Sequence, residues 1–351
     1  MDNATFRNNI VDNKILFDSS KYFHCWGEVL LRLSPCETQQ LMHTNVFHSY
    51  FGGAEANCAV LLSQLGMKTT LMTVLPDNEL GKAAIRYFKG FGITMDCVKL
   101  LNNSRLGLYY YEKGIGLRPS RLLYDREHSA FASLQKDAIK WERVLNDCGW
   151  FHTTGITLSL STTIYEETLK ACNIVKSTNG VVSFDINYRS TLWRNINHAQ
   201  AVLQEFVKQV DILIGNEEHI KKLLLPDKVT NYNEIIDYLF TKYPDLNVIL
   251  ITHRVGTTAS DVTIGALAST RETATELKLR KIQLVVDRVG AGDALAAAFM
   301  YSFIKGNTLD YCVDFALAAG ALAHTTDGDN FIVSESDIVT VMENKSWQLI
   351  R

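Results

Sequence analysis

The 351-residue sequence predicts an α/β protein, a three-layer sandwich with a mostly parallel central sheet, helices on both faces and a small accessory β-sheet. Three observations predict it. From about residue 50 onward, short apolar runs alternate with helical patterns. Two segments break that rhythm, with strand-like runs and no helix between them. Late in the chain, "KIQLVV" (281–286) leads through glycines straight into an apolar helix, "ALAAAFMYSFI" (294–304).

Taken in order, residues 1–21 read as a polar N-terminal tail and 22–351 as one domain. "HCWGEVLLRLSP" (24–35) with "NVFHSYFGG" (45–53), and "LGLYYYEKGIGLRPSRLLYDR" (106–126), read as strands and hairpins. They predict an accessory sheet built from about 28–50 and 98–126, either a lid over the main sheet or a plain edge extension. "AEANCAVLLSQLG" (54–66) is a helix ended by Gly66. "KTTLMTVL" (68–75) is a strand and "ELGKAAIRYFKGFG" (79–92) a helix. "GWFHTTG" (149–155), "GVVSFDI" (180–186), "VDILIG" (210–215) and "NVILIT" (247–252) are short buried strands separated by helical sequence.

Composition excludes several classes. Hydrophobic residues make up 47% of the chain, enough for a sizeable core, and the net charge of -3 is scattered. No nucleic-acid surface and no membrane span are expected. The N-terminus has no apolar core of a signal peptide. The seven cysteines are dispersed without C-x-x-C spacing, which fits a reducing, cytoplasmic setting. The nine histidines neither pair at metal-binding spacing nor cluster with cysteine; His152 and His324 read as structural.

In an open α/β sheet, ligands bind beyond the C-terminal ends of the strands. Asp185, Asn187 and Arg189 follow one predicted strand, Asn216 and Glu217 another, and Gly290 to Asp293 a third. The N–H groups of a helix start have no intrahelical partner, and the helix dipole favours an anion there. "VGAGDAL" therefore reads either as an ordinary strand-to-helix turn or as an anion loop. Asp293 is then either an N-terminal charge partner or a base beside a bound phosphate.

The early "GGAEANCAVLLSQLG" (52–66) and the late "GAGDA" resemble the ribokinase-like (PfkB) sugar kinases over nearly the whole chain. Within that family "GLYYYE" (107–112), "YDREHSA" (124–130), "HTTGITLSLS" (152–161), "FDINYRSTLW" (184–193), "GNEE" (215–218), "VDRVGAGDA" (286–294) and "HTTDGDN" (324–330) are similar to landmarks of the 2-keto-3-deoxygluconate kinases.

The resemblance implies the ribokinase-like fold with its β-lid, ATP and Mg²⁺ as cofactors, and phosphoryl transfer to the terminal hydroxyl of an acid sugar. It implies Asp293 as general base, with the N–H groups of Gly290, Ala291 and Gly292 on the transferring phosphoryl. Gly53, Asn57, Tyr109, Tyr124, Arg126, Arg189 and Asp329 would bind the sugar, the two arginines meeting its carboxylate. Asp185, Asn187, Asn216, Gly256, Gly290 and Gly292 would face the nucleotide, and Asn216 and Glu217 the metal through water. The chain is expected to form a homo-oligomer, a dimer or higher. From the residues alone, Arg126 could instead pair with Asp125 or Glu127, Arg189 could cap the next helix, and Asp185 could be a turn residue.

The chain also departs from the family pattern. Arg288 stands where many members have threonine. His219 stands three after Asn216, where glutamate is frequent, so that Glu217 or Glu218 takes the role or the site tolerates histidine. "RVGTTAS" (254–260) has Gly256 but Ala259 in place of a second glycine. Two rival readings follow, a kinase of a neutral sugar such as fructose or ribose, and a non-catalytic sugar-binding regulator of the same fold.

Overall fold

The computed structural model describes residues 10–11, 14–15, 17–18, 20–226, 229, 231–256, 258–282 and 284–343. Most of the expected tail over 1–21 lies outside the described residues. The first half of the domain runs β1 (Tyr22–Trp26), β2 (Leu30–Pro35), β3 (Phe47–Gly52), α1 (Ala54–Gln64), β4 (Thr69–Met72), β5 (Val74–Pro76), α2 (Glu79–Lys89), β6 (Lys99–Leu101), β7 (Gly107–Glu112) and β8 (Arg121–Asp125). The second half runs α3 (Trp141–Val144), β9 (Cys148–Thr154), α4 (Gly155–Ser159), α5 (Thr162–Ser177), β10 (Val181–Asp185), α6 (Ile196–Phe206), β11 (Ile212–Asn216), α7 (Glu217–Leu224) and α8 (Tyr232–Lys242). It closes with β12 (Val248–Gly256), β13 (Val262–Thr270), β14 (Lys278–Ile282), α9 (Ala291–Ile304), α10 (Leu309–Ala323) and α11 (Glu335–Met342).

The central sheet has eight strands in the order β14-β13-β12-β11-β10-β9-β1-β4. Pairing is parallel from β12 to β4 and antiparallel at β12–β13 and β13–β14. Because strand side chains alternate, successive residues feed two cores. Val181, Ile212, Ile214, Val248 and Leu250 pack with α1, α9 and α10. Val182, Phe184, Leu213, Ile249 and Ile251 pack with α5, α6, α7 and α8. Helix α9 is buried on nearly every side, and its alanines 294, 296, 297 and 298 let α1 and α10 approach closely. Several helix starts carry side-chain caps for their orphan N–H groups, while α1, α3 and α9 have none among the described residues. Asn78 accepts from Leu80 and Gly81, Ser161 from Ile164, and Ser334 forms a capping box with Asp337.

A separate four-stranded sheet, ordered β8-β7-β2-β3, lies over the C-terminal ends of the central strands. Leu30, Arg32 and Ser34 of β2, and Tyr109 and Tyr111 of β7, are buried, while Tyr110 alternates away from them.

Four boundaries differ from those the sequence predicts. The strand expected at 281–286 is β14, at Lys278–Ile282, because its register is set by the antiparallel ladder with β13. Beyond it the chain crosses to His324, whose carbonyl accepts from the N–H groups of Val286 and Asp287. "HCW" (24–26) belongs to the central sheet, so the accessory sheet begins at Leu30. "KTTLMTVL" divides into β4 and β5, and β5 pairs with β6, leaving residues 99–101 outside the lid.

Candidate active site

Between the lid and the strand ends is a cavity of about 780 Å³. The loop before α9 supplies its floor. Asp287 Oδ1 accepts from the N–H groups of Arg288 (2.6 Å) and Val289 (3.1 Å), which bends the chain into the helix. Gly290 sits at φ +80°, and a Cβ there would lie 2.2 Å from the Asp329 carbonyl oxygen, so only glycine fits. Ala291 and Gly292 open α9, and all three residues line the cavity.

Asp293 follows in the first turn of α9 and also faces the cavity. Asn57 Nδ2, from α1, donates to its Oδ2 at 2.8 Å. Burial pushes the Asp293 carboxyl up to about 6, against the Asn57 hydrogen bond and the Arg189 charge, which pull it down. Two more carboxyls share this region. Burial raises Asp185, at the end of β10, to about 7, although the Asn187 N–H donates to its Oδ1 at 2.9 Å. Burial likewise raises Glu55 to about 7, although its Oε1 accepts from the Thr157 hydroxyl (2.7 Å) and the Thr154 N–H (2.9 Å).

On the lid side, Arg126 is 6% exposed and its guanidinium lies 5.3 Å over the Tyr124 ring. Its partner is Glu28, bound through Nε at 2.8 Å and through Nη2. Neither neighbour suggested by the sequence takes it, and Asp125 pairs with Arg105 at 2.7 Å. Tyr109 donates to Asp329, whose other oxygen meets Arg32 Nη1 at 3.2 Å. Both Asp329 oxygens are thus engaged within the protein, although the residue still lines the cavity. Gly53 is packed against the backbone of Glu28 and Val29 just before β2, a Cβ there falling 2.2 Å from the Glu28 carbonyl oxygen. Arg189 is exposed into the cavity, with Nη1 donating to the Tyr188 carbonyl at 3.2 Å rather than to a helix end.

At the far end, Asn187, Asn216 and Gly256 line the wall. Asn216 caps α7, its Oδ1 accepting from the Glu218 N–H at 3.0 Å. Glu217 is a correction. It does not line the cavity, and its carboxylate is committed to Lys221 (2.6 Å), Tyr232 (2.6 Å) and His253 (3.0 Å). His219 does line it, edge-on to Tyr188 at 5.5 Å. His152 and His324 are buried, and burial holds them neutral, at about 3 and about 4.

The structure brings in residues the sequence reading missed. Arg254 and Arg288 line the cavity with no carboxylate within 4 Å among the described residues. Arg288 Nη2 donates to the Thr258 carbonyl at 2.8 Å, and its Nε is buried without a partner among the described residues. Burial and the Arg288 charge both lower the basicity of Arg254. Two guanidiniums with no carboxylate partner among the described residues, beside a helix N-terminus, suit a polyphosphate. Among the described residues no group of three or more His, Cys, Asp or Glu side chains could hold a metal ion. A divalent cation here would rest on phosphate oxygens and water, the coordination Mg²⁺ favours.

An anion loop, a carboxylate of raised basicity beside it and a lid above define a class: an α/β phosphotransferase for a small hydroxylated substrate. The pfkB family carbohydrate kinase pattern matches residues 20–336, and the chain belongs to that family. It is 29% identical over 319 residues to a 2-dehydro-3-deoxygalactonokinase of Haloferax volcanii, covering 90% of this chain and 95% of that one. It is 28% identical over 306 residues to a 2-dehydro-3-deoxygluconokinase of Thermoproteus tenax, covering 87% and 88%. The crystal structure of a 2-dehydro-3-deoxygluconokinase from Thermotoga maritima superposes with a TM-score of 0.87 at 33% identity, covering 92% of this chain and 99% of that one. The protein is a sugar kinase related to these enzymes.

Proposed function

We propose that this chain transfers the γ-phosphate of ATP, with Mg²⁺, to the terminal hydroxyl of 2-keto-3-deoxygluconate, giving the 6-phosphate. The observation that carries the reading is Asp293, tuned to about 6, inside the first turn of α9 and next to Asn57. Bound MgATP would supply the electrophilic phosphoryl group and the charge of the metal. The chain does the rest. Asp293, ionised at neutral pH, accepts the proton of the attacking hydroxyl. Asn57 holds that carboxylate in place. The N–H groups of Gly290, Ala291 and Gly292 face the oxygens of the transferring group. Asp185, Asn187, Asn216 and Gly256 line the nucleotide end, with Arg254 and Arg288 adding positive charge. The lid sheet excludes water above the reacting atoms.

The acid-sugar assignment is supported by the names of the relatives and by Arg126, Arg189, Tyr109 and Tyr124 around the sugar end. Gly53, Asn57 and Asp329 are the proposed hydroxyl ligands. A second reading, a neutral-sugar kinase, is favoured by one observation: Glu28 already neutralises Arg126. The proposal extends to a cytoplasmic homo-oligomer, with the exposed Leu123 of β8, opposite Tyr110 on the outer face of the lid, as a contact residue.

The test is ADP release with MgATP on 2-keto-3-deoxygluconate, 2-keto-3-deoxygalactonate, fructose and ribose. The expected outcome is preference for an acid sugar, with kcat/KM falling about tenfold per pH unit below about 6. In Asp293→Asn turnover drops by a factor of about 10³ or more. Preference for fructose or ribose would overturn the substrate, and full activity in Asp293→Asn would overturn the base.

A further inference from the structure

Arg32 is the largest charged side chain buried in the lid, with 0% exposure, and nothing in the reaction described above uses it. It sits on β2, where the strand's alternation turns it inward between the rings of Tyr111 (4.5 Å) and Tyr50 (5.1 Å). All three arms of its guanidinium are engaged. Nε donates to Ser34 Oγ at 2.7 Å, Nη2 to Asp287 Oδ2 at 2.6 Å and Nη1 to Asp329 Oδ2 at 3.2 Å. Those two aspartates lie on either side of the anion loop. Asp287 holds the N–H groups of Arg288 and Val289 through its other oxygen, and the Gly328 N–H donates to the same Oδ2 that Arg32 meets, at 3.3 Å. The Asp329 backbone is the surface against which Gly290 packs.

We infer that Arg32 is a positioning residue for phosphoryl transfer: its guanidinium ties the lid to both walls of the anion loop and so sets where the Gly290–Gly292 N–H groups point. The inference rests on the phosphoryl-transfer reading of that loop and not on which sugar is used. A buried guanidinium is costly unless it is paired and hydrogen-bonded, and here two carboxylates and a hydroxyl give each of its three nitrogens a partner. Lysine could not replace it, because a single ammonium cannot reach both carboxylates in a fixed plane. The lid reinforces the tie with a second cation, Lys113, which pairs with Asp327 at 2.7 Å in the same segment as Asp329.

The experiment compares Arg32→Lys and Arg32→Met with the wild type. It measures kcat and KM for ATP and for whichever sugar the wild type phosphorylates, and backbone hydrogen exchange over 287–293. In Arg32→Met, kcat is expected to fall about 100-fold with both KM values within about threefold, because a small displacement of the stabilising groups acts on the transition state. Arg32→Lys should lose about tenfold. In both, exchange over 287–293 should speed up while β10 stays as protected as in the wild type. If Arg32→Met does not fold, Arg32→Lys carries the test. Unchanged kcat in a folded variant, or a change confined to KM, overturns the inference. If the wild type phosphorylates none of the sugars, the functional proposal fails, and exchange over 287–293 alone decides whether Arg32 holds the loop.

Discussion

Asp185 shows how much of the site depends on single carboxyl groups kept from water. It is the last residue of β10 and is raised to about 7, mainly by burial. An unfolded aspartate ionises near pH 3.9. Between those values the folded chain keeps a proton that the unfolded chain has lost, so this group's contribution to stability falls as pH rises through about 4 to 7. Asp185→Asn keeps an oxygen for the Asn187 N–H and removes the ionisation. Its melting temperature should exceed the wild type's by several degrees at pH 8, with the gap shrinking as pH falls to 5. Thermal melts across that range check this, and a gap that widens on acidification would refute it. The same scale shows what the sequence disclosed. Asp293 and the loop glycines stood out in the sequence because their pattern is local: glycines, an acid and a helix start within a few residues. Glu55, Arg32 and Arg254 did not, because their partners, such as Thr157 for Glu55 and Asp287 for Arg32, are distant in the chain. Glu217 was misjudged because its neighbours Lys221, Tyr232 and His253 capture its carboxylate.

Helix α9 and the loop before it form the element on which the chemistry turns. Gly290 and Gly292 look alike in sequence but differ in space. A methyl group at 290 would collide with backbone at a positive φ, while one at 292 would meet nothing within 4 Å. Gly290→Ala is therefore expected to lower the melting temperature clearly and kcat by about 100-fold or more. Gly292→Ala should melt within about two degrees of the wild type. Melting curves and steady-state kinetics on the pair check this. Most strands were legible from apolar runs between helical stretches. β13 was not, since "VTIGALAST" mixes small and β-branched residues and owes its conformation to pairing with β12 and β14. β14 was placed too late because its residues, "KLRKI", have little apolar character and only the ladder defines them.

Across the whole molecule, the interior of the eight-stranded sheet and the lid differ in how they are supported. β10 and β11 have parallel neighbours on both sides and core on both faces. β8 is one of the two edge strands of the lid and mostly exposed. Amides of β10 should exchange only through global unfolding, and those of β8 far faster. Adding MgATP with the phosphorylated sugar should slow β8 and leave β10 unchanged. Exchange mass spectrometry with and without ligands reads both, and equal protection of the two strands would contradict it. The layered architecture was legible because alternation of strand and helix is a global pattern. The lid's seat on the core was not, since it rests on contacts between β2 and the loops around α9.

The lid is also assembled from two separate stretches of chain. β2 and β3 precede α1, while β7 and β8 follow β6, and the strands of the two halves pair through the parallel register that sets Leu30 opposite Gly107. No single cassette of sequence therefore encodes this lid. A recombinant that swaps only one stretch with a relative would pair mismatched halves, so exchanging the lid intact requires four crossover points. During synthesis, the β2–β3 hairpin leaves the ribosome before the strand that completes it exists. Its inward residues, Arg32 among them, must wait for both β7 and the far end of the chain before their partners arrive.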